Sequence, residues 1–295
     1  MTDKSLSSDN RARDFAWVVA AYVMALLAAW GTVVLLPFES TLWLAAGADV
    51  AATLVIFVFA CIFRNSSFYD AYWSVVPPIL VVYWVISLDA MDVRAALLLV
   101  LVLLWAIRLT HNWARGWQGL GHQDWRYVDL KSKTGVFYPL VDLLGIQMLP
   151  TVLVFIGCVP AWLVLSNATP IGGLDLVWFG IGLAAVALEY RADNVLRAHR
   201  LDTARQGQVL REDVWGWCRH PNYLGELGFW FALGLCAYMA TGLLFSWLGF
   251  ALMLALFFGV SIPMIDKRQL GSKPAYADYK AQVPSIVPKF WRLRR

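Results

Sequence analysis

Apolar residues run along this chain in long blocks separated by short polar connections. A helix crosses a hydrocarbon core with about 20 residues, and the pattern predicts such spans at 15–37, 42–63, 72–88, 94–112, 137–166, 174–192, 224–241 and 243–265. Pro77-Pro78 falls inside the third and the last two share almost no connector, so the pattern allows seven spans as well as eight. The expected fold is therefore an all-α polytopic membrane bundle of 7–8 helices. It has a polar tail over residues 1–14 and one membrane-embedded domain over 15–295. The first apolar run carries no small-residue cleavage site, so no removable signal peptide is expected. There is no internal repeat, arginine ladder or Gly-Tyr-Gly filter, which argues against duplicated transporters and voltage-gated channels.

Composition strengthens the membrane assignment: 60% of the 295 residues are hydrophobic, 15% are charged, and there are 16 tryptophans. Membrane lipid is the expected surrounding, with no nucleic acid and no protein partner. The net charge of +4 matters through its placement. Lys4, Arg11 and Arg13 precede the first span, Arg64 follows the second, and Arg115, Arg126, Lys131 and Lys133 follow the fourth. Six arginines lie between Arg191 and Arg219, and Lys267, Arg268, Lys273, Arg292, Arg294 and Arg295 follow the last span. With eight spans all of these share one side, which the positive-inside rule makes cytoplasmic, both termini included. Cys61, Cys158 and Cys236 lie in apolar runs and only Cys218 in a polar stretch, so no disulfide is expected. Four scattered histidines give no metal site.

Candidate chemistry concentrates in the C-terminal half. Glu189, Asp193, Arg197 and Arg200 follow four- and three-residue steps and share one face of an extended sixth helix. That face fits a solvated helix end with salt bridges, or a cradle in which arginines grip a multiply charged phosphate ligand. No Gly-rich phosphate loop accompanies it, so a nucleotide bound here would be held without a Rossmann fold. Next comes Arg219-His220-Pro221-Asn222-Tyr223-Leu224-Gly225-Glu226. Pro221 stops a continuing helix and pushes His220 toward an extended conformation. Asn222 offers a donor and an acceptor to a carboxamide ligand. Glu226, one turn further, enters hydrocarbon, where a carboxylate needs a partner or a task. Asn222 as a helix cap and Glu226 paired with a nearby arginine is the structural alternative.

These residues resemble the steroid 5α-reductase superfamily, especially its bacterial members. The match consists of Glu189, Asp193, Arg197 and Arg200, then Arg219 to Tyr223 with Gly225-Glu226, then Asp266-Lys267-Arg268, Tyr276 to Lys280 and Val287-Pro288; Arg108 to Tyr127 matches the family's Arg-rich loop more loosely. The resemblance implies a helical bundle in a bacterial inner membrane, with NADPH in a cytoplasm-facing cavity and a flat, lipophilic, steroid-like enone beneath it. The cofactor-binding half would be about 108–290, lined by Arg115, Glu189, Asp193, Arg197, Arg200, Arg219, His220, Asn222, Tyr223, Glu226 and Arg268. The arginines would meet phosphates, and Asn222 with Glu226 would orient the nicotinamide amide. The implied reaction adds hydride to the β-carbon of an α,β-unsaturated ketone and a proton to the α-carbon.

Such a reaction needs a hydrogen-bond donor at the carbonyl oxygen. In the N-terminal half, Asp70 with Tyr69, Tyr72 or Tyr83 is the candidate, although the local pattern of the superfamily's glutamate and tyrosine is not reproduced; interfacial aromatic anchoring is the alternative. Asp142 and Gln147 inside the fifth span fit a ligand contact or an interhelical hydrogen bond. His111 and Asn112 could reach a cofactor or end a helix. The Arg-His-Pro-x-Tyr-x-Gly-Glu pattern is also similar to isoprenylcysteine-type methyltransferases, whose S-adenosylmethionine carries no phosphate. A non-enzymatic lipid-binding bundle is the third possibility.

Overall fold

The computed structural model describes residues 4–167 and 169–288. Residues 1–3 of the polar tail and Arg292, Arg294 and Arg295 lie outside the described residues. Those described form an all-helical bundle with no strand.

Helix α1 (Lys4–Leu35) runs without a break through most of the expected tail into the first span. The tail is docked: Asp14 accepts the Leu120 N–H at 2.9 Å and Arg11 donates to the Ala114 carbonyl at 3.2 Å. Helix α2 (Thr41–Phe63) leads through a 3-10 turn (Ser66–Tyr69) to α3 (Tyr72–Ser87), which continues through Pro77-Pro78. Helix α4 (Val93–Gly116) follows.

The fifth span is a broken rod. It comprises α5 (Trp125–Thr134), a 3-10 turn at Gly135–Phe137, α6 (Tyr138–Val141), a π-helical segment (Asp142–Met148) and α7 (Leu149–Leu165). Gly135 has φ +52°, a left-handed backbone that glycine adopts without a Cβ penalty. Then come α8 (Asp175–Leu201) and α9 (Pro221–Thr241). The last rod joins α10 (Leu248–Leu256), a π-helical segment (Phe257–Ser261) and α11 (Ile262–Ser272), and a short α12 (Tyr276–Gln282) follows.

Among the described residues, seven segments are long and apolar enough to cross a membrane, α8 not among them. Helix α8 is apolar only from Leu176 to Leu188, after which Glu189, Arg191 and Asp193 enter. Yet it runs parallel to α4 as an eighth rod. Arg94 pairs with Asp175 at one end (2.7 Å), and Arg115 donates to Asn194 at the other (2.5 Å). The start of α1 and the segment after α12 both lie at this second, basic end, through Arg11 with Ala114 and through the Arg219 N–H on the Pro284 carbonyl.

Outward faces are apolar, with Trp30, Leu27, Ile62, Ile86 and Ile107 exposed, as a lipid-facing surface requires. Inside, Trp84, Trp105, Trp178 and Trp230 are fully buried, and Trp105 stacks on Phe229 at 4.5 Å. Small residues set the closest helix approaches. A Cβ on Gly225 would meet Glu189 Cγ at 2.3 Å and the Ala185 carbonyl at 2.7 Å, so α8 and α9 touch there through glycine alone. Gly225→Ala is expected to cost about 1–3 kcal/mol by overpacking, seen as a lower thermal unfolding temperature in detergent. Gly180→Ala on α8, where a Cβ meets nothing within 4 Å, should not lower that temperature.

Candidate functional site

Where α4, α8 and α9 meet, one guanidinium binds three carboxylates. Arg108 lies 2.9 Å from Glu189, 2.9 Å from Asp193 and 3.5 Å from Glu226, and all four side chains are buried. Glu226 also accepts the indole N–H of Trp105 at 3.1 Å and of Trp230 at 2.8 Å. Both of its oxygens are thus committed. Charges stripped of water persist only with such pairing. Nε of Arg108 and Oε2 of Glu189 have no hydrogen-bond partner among the described residues.

A second hub organises the Arg219 box. Asp266 of α11 receives Arg219 at 3.1 Å, His220 at 3.2 Å, the Tyr276 hydroxyl at 2.6 Å and Lys280 at 3.1 Å. Arg219 donates further to the carbonyls of Lys280 and Val283, and the His220 N–H to the Ser285 carbonyl. Motifs that are far apart in sequence therefore close on one carboxylate. His220 is extended (φ −133°) before Pro221, as the proline requires, and its ring stacks on Tyr223, which stacks on Phe257. Burial pushes the His220 imidazole down to about 4 against the pull of Asp266, so it is neutral at pH 7. Burial, with Asp266 beside it, holds the Tyr276 phenol above its ordinary range.

Between these hubs lies a cavity of about 170 Å³. Its lining includes Arg200, Lys273, His199, Asn222, Gln269 and Tyr223, and contains no Asp or Glu. Arg200 makes no ion pair or hydrogen bond among the described residues, nor does the Asn222 carboxamide. Lys273 donates to the Gln208 carbonyl at 2.8 Å. Burial and neighbouring Arg200 push its ammonium below the usual lysine range. His199 is buried, and its Nδ1 has no partner among the described residues. Two surface grooves, about 590 and 420 Å³, share His199 with the cavity, and the loop 202–213 contributes to all three spaces.

The N-terminal half holds a third polar group. Tyr72 donates to Asp49 at 2.8 Å, and Tyr69 shares Thr151 with Thr53 at 2.8 and 2.9 Å. Asp70 instead accepts the Tyr127 hydroxyl at 2.8 Å. Tyr83, eleven residues past Tyr72 and roughly 16 Å along α3, lies apart, against the main apolar core.

The cavity thus gathers Arg200, Arg219, His220, Asn222 and Tyr223 of the nominated residues. Glu189, Asp193 and Glu226 sit in the Arg108 cluster. Arg115 bonds Asn112 and Asn194, Arg197 donates to the Arg115 carbonyl, and Arg268 covers the Trp125 ring at 4.0 Å. Asp70 braces neither Tyr69 nor Tyr72: Asp49 on α2 accepts from Tyr72, and Tyr69 bonds Thr151. Gln147 bonds Asp142 within its own π-helical segment at 3.1 Å instead of reaching another helix. Asn112 accepts from Arg115. Sequence reasoning gave no site role to Arg108, Trp105, Trp230, Lys273 or Asp49. Asp49 and Arg108 were detectable as charges inside predicted spans.

Fold and site define a multi-pass helical membrane protein with a buried ion cluster beneath an acid-free cavity at its basic end. The chain belongs to a family described as a protein of unknown function (DUF1295), whose model matches residues 56–283. It is 23% identical over 252 residues to an uncharacterized protein of Schizosaccharomyces pombe, covering 77% of this chain and 73% of that one. No solved structure matches it.

Removing the central cation leaves three buried carboxylates uncompensated. Arg108→Met is therefore expected to cost about 3–5 kcal/mol, measured by thermal unfolding against Arg197→Met, which removes a single long hydrogen bond. His220 gives a pH signature. An unfolded imidazole titrates near 6.5, so the lowered folded value stabilises the protein fully above that pH. The contribution, up to about 3 kcal/mol, is lost as pH falls toward 4. The unfolding temperature should drop across this window, and less steeply in His220→Asn.

Proposed function

We propose that this protein is a membrane reductase that uses NADPH to saturate the carbon–carbon double bond of a lipophilic α,β-unsaturated ketone. The acid-free cavity carries this reading. Arg200 and Lys273 line it without a carboxylate partner, beside an unpartnered His199 Nδ1 and an unpartnered Asn222 carboxamide. Such a lining complements a polyanion that also bears a carboxamide. S-adenosylmethionine, a sulfonium cation without phosphate, fits it poorly. The resemblance of the Glu189–Arg200, Arg219–Glu226 and Asp266–Arg268 motifs to the steroid 5α-reductase superfamily adds support.

In this role Arg200 and Lys273 hold phosphates and Asn222 holds the nicotinamide amide. Glu226, fixed by two indoles and Arg108, sets the orientation of α9 one turn below Asn222. A site of about 170 Å³ is smaller than the roughly 300–1,000 Å³ of ordinary ligand sites. Admission of a dinucleotide therefore requires the loop 202–213 to shift. Bound NADPH supplies a hydride for the β-carbon. As charge builds on the substrate's carbonyl oxygen, the buried Asp49–Tyr72 pair supplies the hydrogen-bond donor in the state where Asp49 carries a proton: the carboxyl then donates to the Tyr72 oxygen and frees the phenol O–H for the substrate. A flat polycyclic enone of the steroid type is the substrate class.

NADPH should raise the thermal unfolding temperature and quench tryptophan fluorescence, and Asn222→Ala should weaken both. Across a panel of enones, Asp49→Asn and Tyr72→Phe should lower NADPH oxidation by about 10²-fold or more while binding persists. No response to NADPH, with stabilisation by S-adenosylmethionine, would refute this function.

A further inference from the structure

The backbone carbonyl of Gln208, in the loop 202–213, receives donors from two sides. Lys273, just past α11, reaches it at 2.8 Å, and Nε2 of His199 on α8 at 3.2 Å. A carbonyl only accepts, so this ring nitrogen carries a proton, and both lone pairs of one neutral oxygen are taken. Segments far apart in sequence thus aim N–H groups at a single point, at the rim of a cavity whose lining contains no Asp or Glu. An anionic oxygen at that point would serve the same donors better, because it adds the attraction of its charge for the Lys273 ammonium to the hydrogen bonds.

The same stretch of loop walls the cavity off. Val209 and Leu210 line both the cavity and the outer groove of about 420 Å³. Arg211, exposed and outside the cavity lining, fastens this wall to the α12 corner: it donates to the Ala275 carbonyl at 2.9 Å and lies over the Tyr279 ring at 5.5 Å. Lifting the wall joins cavity and groove into one space within the roughly 300–1,000 Å³ of ordinary ligand sites.

We propose that the Gln208 carbonyl holds the place of a phosphate oxygen, and that His199 and Lys273 form a phosphate subsite which opens the cavity by exchanging this carbonyl for the ligand. The identity of that ligand, NADPH, rests on the reductase reading; inorganic pyrophosphate carries the same chemistry without the nicotinamide. Loop and ligand compete for the same donors, so the observed affinity is the intrinsic one reduced by the fraction of molecules with the loop lifted. His199 and Lys273 act in both states, whereas Arg211 holds only the closed one.

The test measures NADPH and pyrophosphate binding to full-length protein in lipid nanodiscs by titration calorimetry. Lys273→Met should weaken both ligands about tenfold or more, His199→Phe should do the same, and Lys273→Arg should keep most of the affinity. Arg211→Ala, which loosens the loop and spares the subsite, should tighten both about threefold or more. Binding that is unchanged or tighter in Lys273→Met would overturn the subsite, and unchanged or weaker binding in Arg211→Ala would overturn the exchange. With NADPH still bound by the wild type, either result leaves the reductase reading standing. Pyrophosphate bound by a wild type that ignores NADPH would overturn the reductase reading and keep the subsite, and a wild type that binds neither would overturn both.

Discussion

A single guanidinium between three carboxylates holds the basic end of this bundle together. Arg108 comes from α4, Glu189 and Asp193 from α8, and Glu226 from α9, so one buried cation ties three helices at the same depth. None of these ions is stable in an apolar interior alone. Because α8 carries its charges at that depth, it can only lie where Arg108 reaches it, parallel to α4. Gly225 then lets α9 close on α8 without a side chain between them. The positions of Arg200 and Asn222 at the cavity follow from these contacts.

The same cluster reaches the other half of the molecule through one tryptophan. Trp105 donates to Glu226, stacks on Phe229 and meets Trp73 edge-on at 6.0 Å, and Trp73 adjoins Tyr72 in sequence. Aromatic packing of this kind is rigid and well oriented. A shift of α9 would thus be felt beside the Asp49–Tyr72 pair. In a reductase the hydride donor and the carbonyl-polarising donor must keep a fixed separation, and Trp105 is the physical connection that would maintain it.

Much of the fold was legible because crossing a membrane constrains pattern so strongly. Apolar blocks and basic loops gave every rod, including α8, whose charged last turns make it marginal by composition. What the pattern could not give was pairing between rods. Asp49 reads as an isolated polar residue in the second span, and only packing reveals that Tyr72 meets it while Asp70 turns to Tyr127. Likewise Arg108 sits at the end of a strongly apolar run, and nothing local says that three distant acids converge on it. The π-helical turns are also invisible to a 3.6-residue period, so the contact between Asp142 and Gln147 was missed.

The arginines mislead for a related reason. Density of positive charge near helix ends is not the same as capacity to bind an anion, because a cation already facing a carboxylate or carbonyls has little left to offer. Arg108 is spent on three acids, Arg219 on Asp266 and two carbonyls, and Arg115 on two asparagines. Arg200 remains without such partners, and Lys273, crowded by Arg200, gives only a neutral carbonyl its hydrogen bond. Asp193 acts on Arg200 from the neighbouring ion cluster without reaching hydrogen-bond distance, so both cations keep donors free of a carboxylate contact. Free donors, more than the number of arginines, are what the proposed phosphate site rests on.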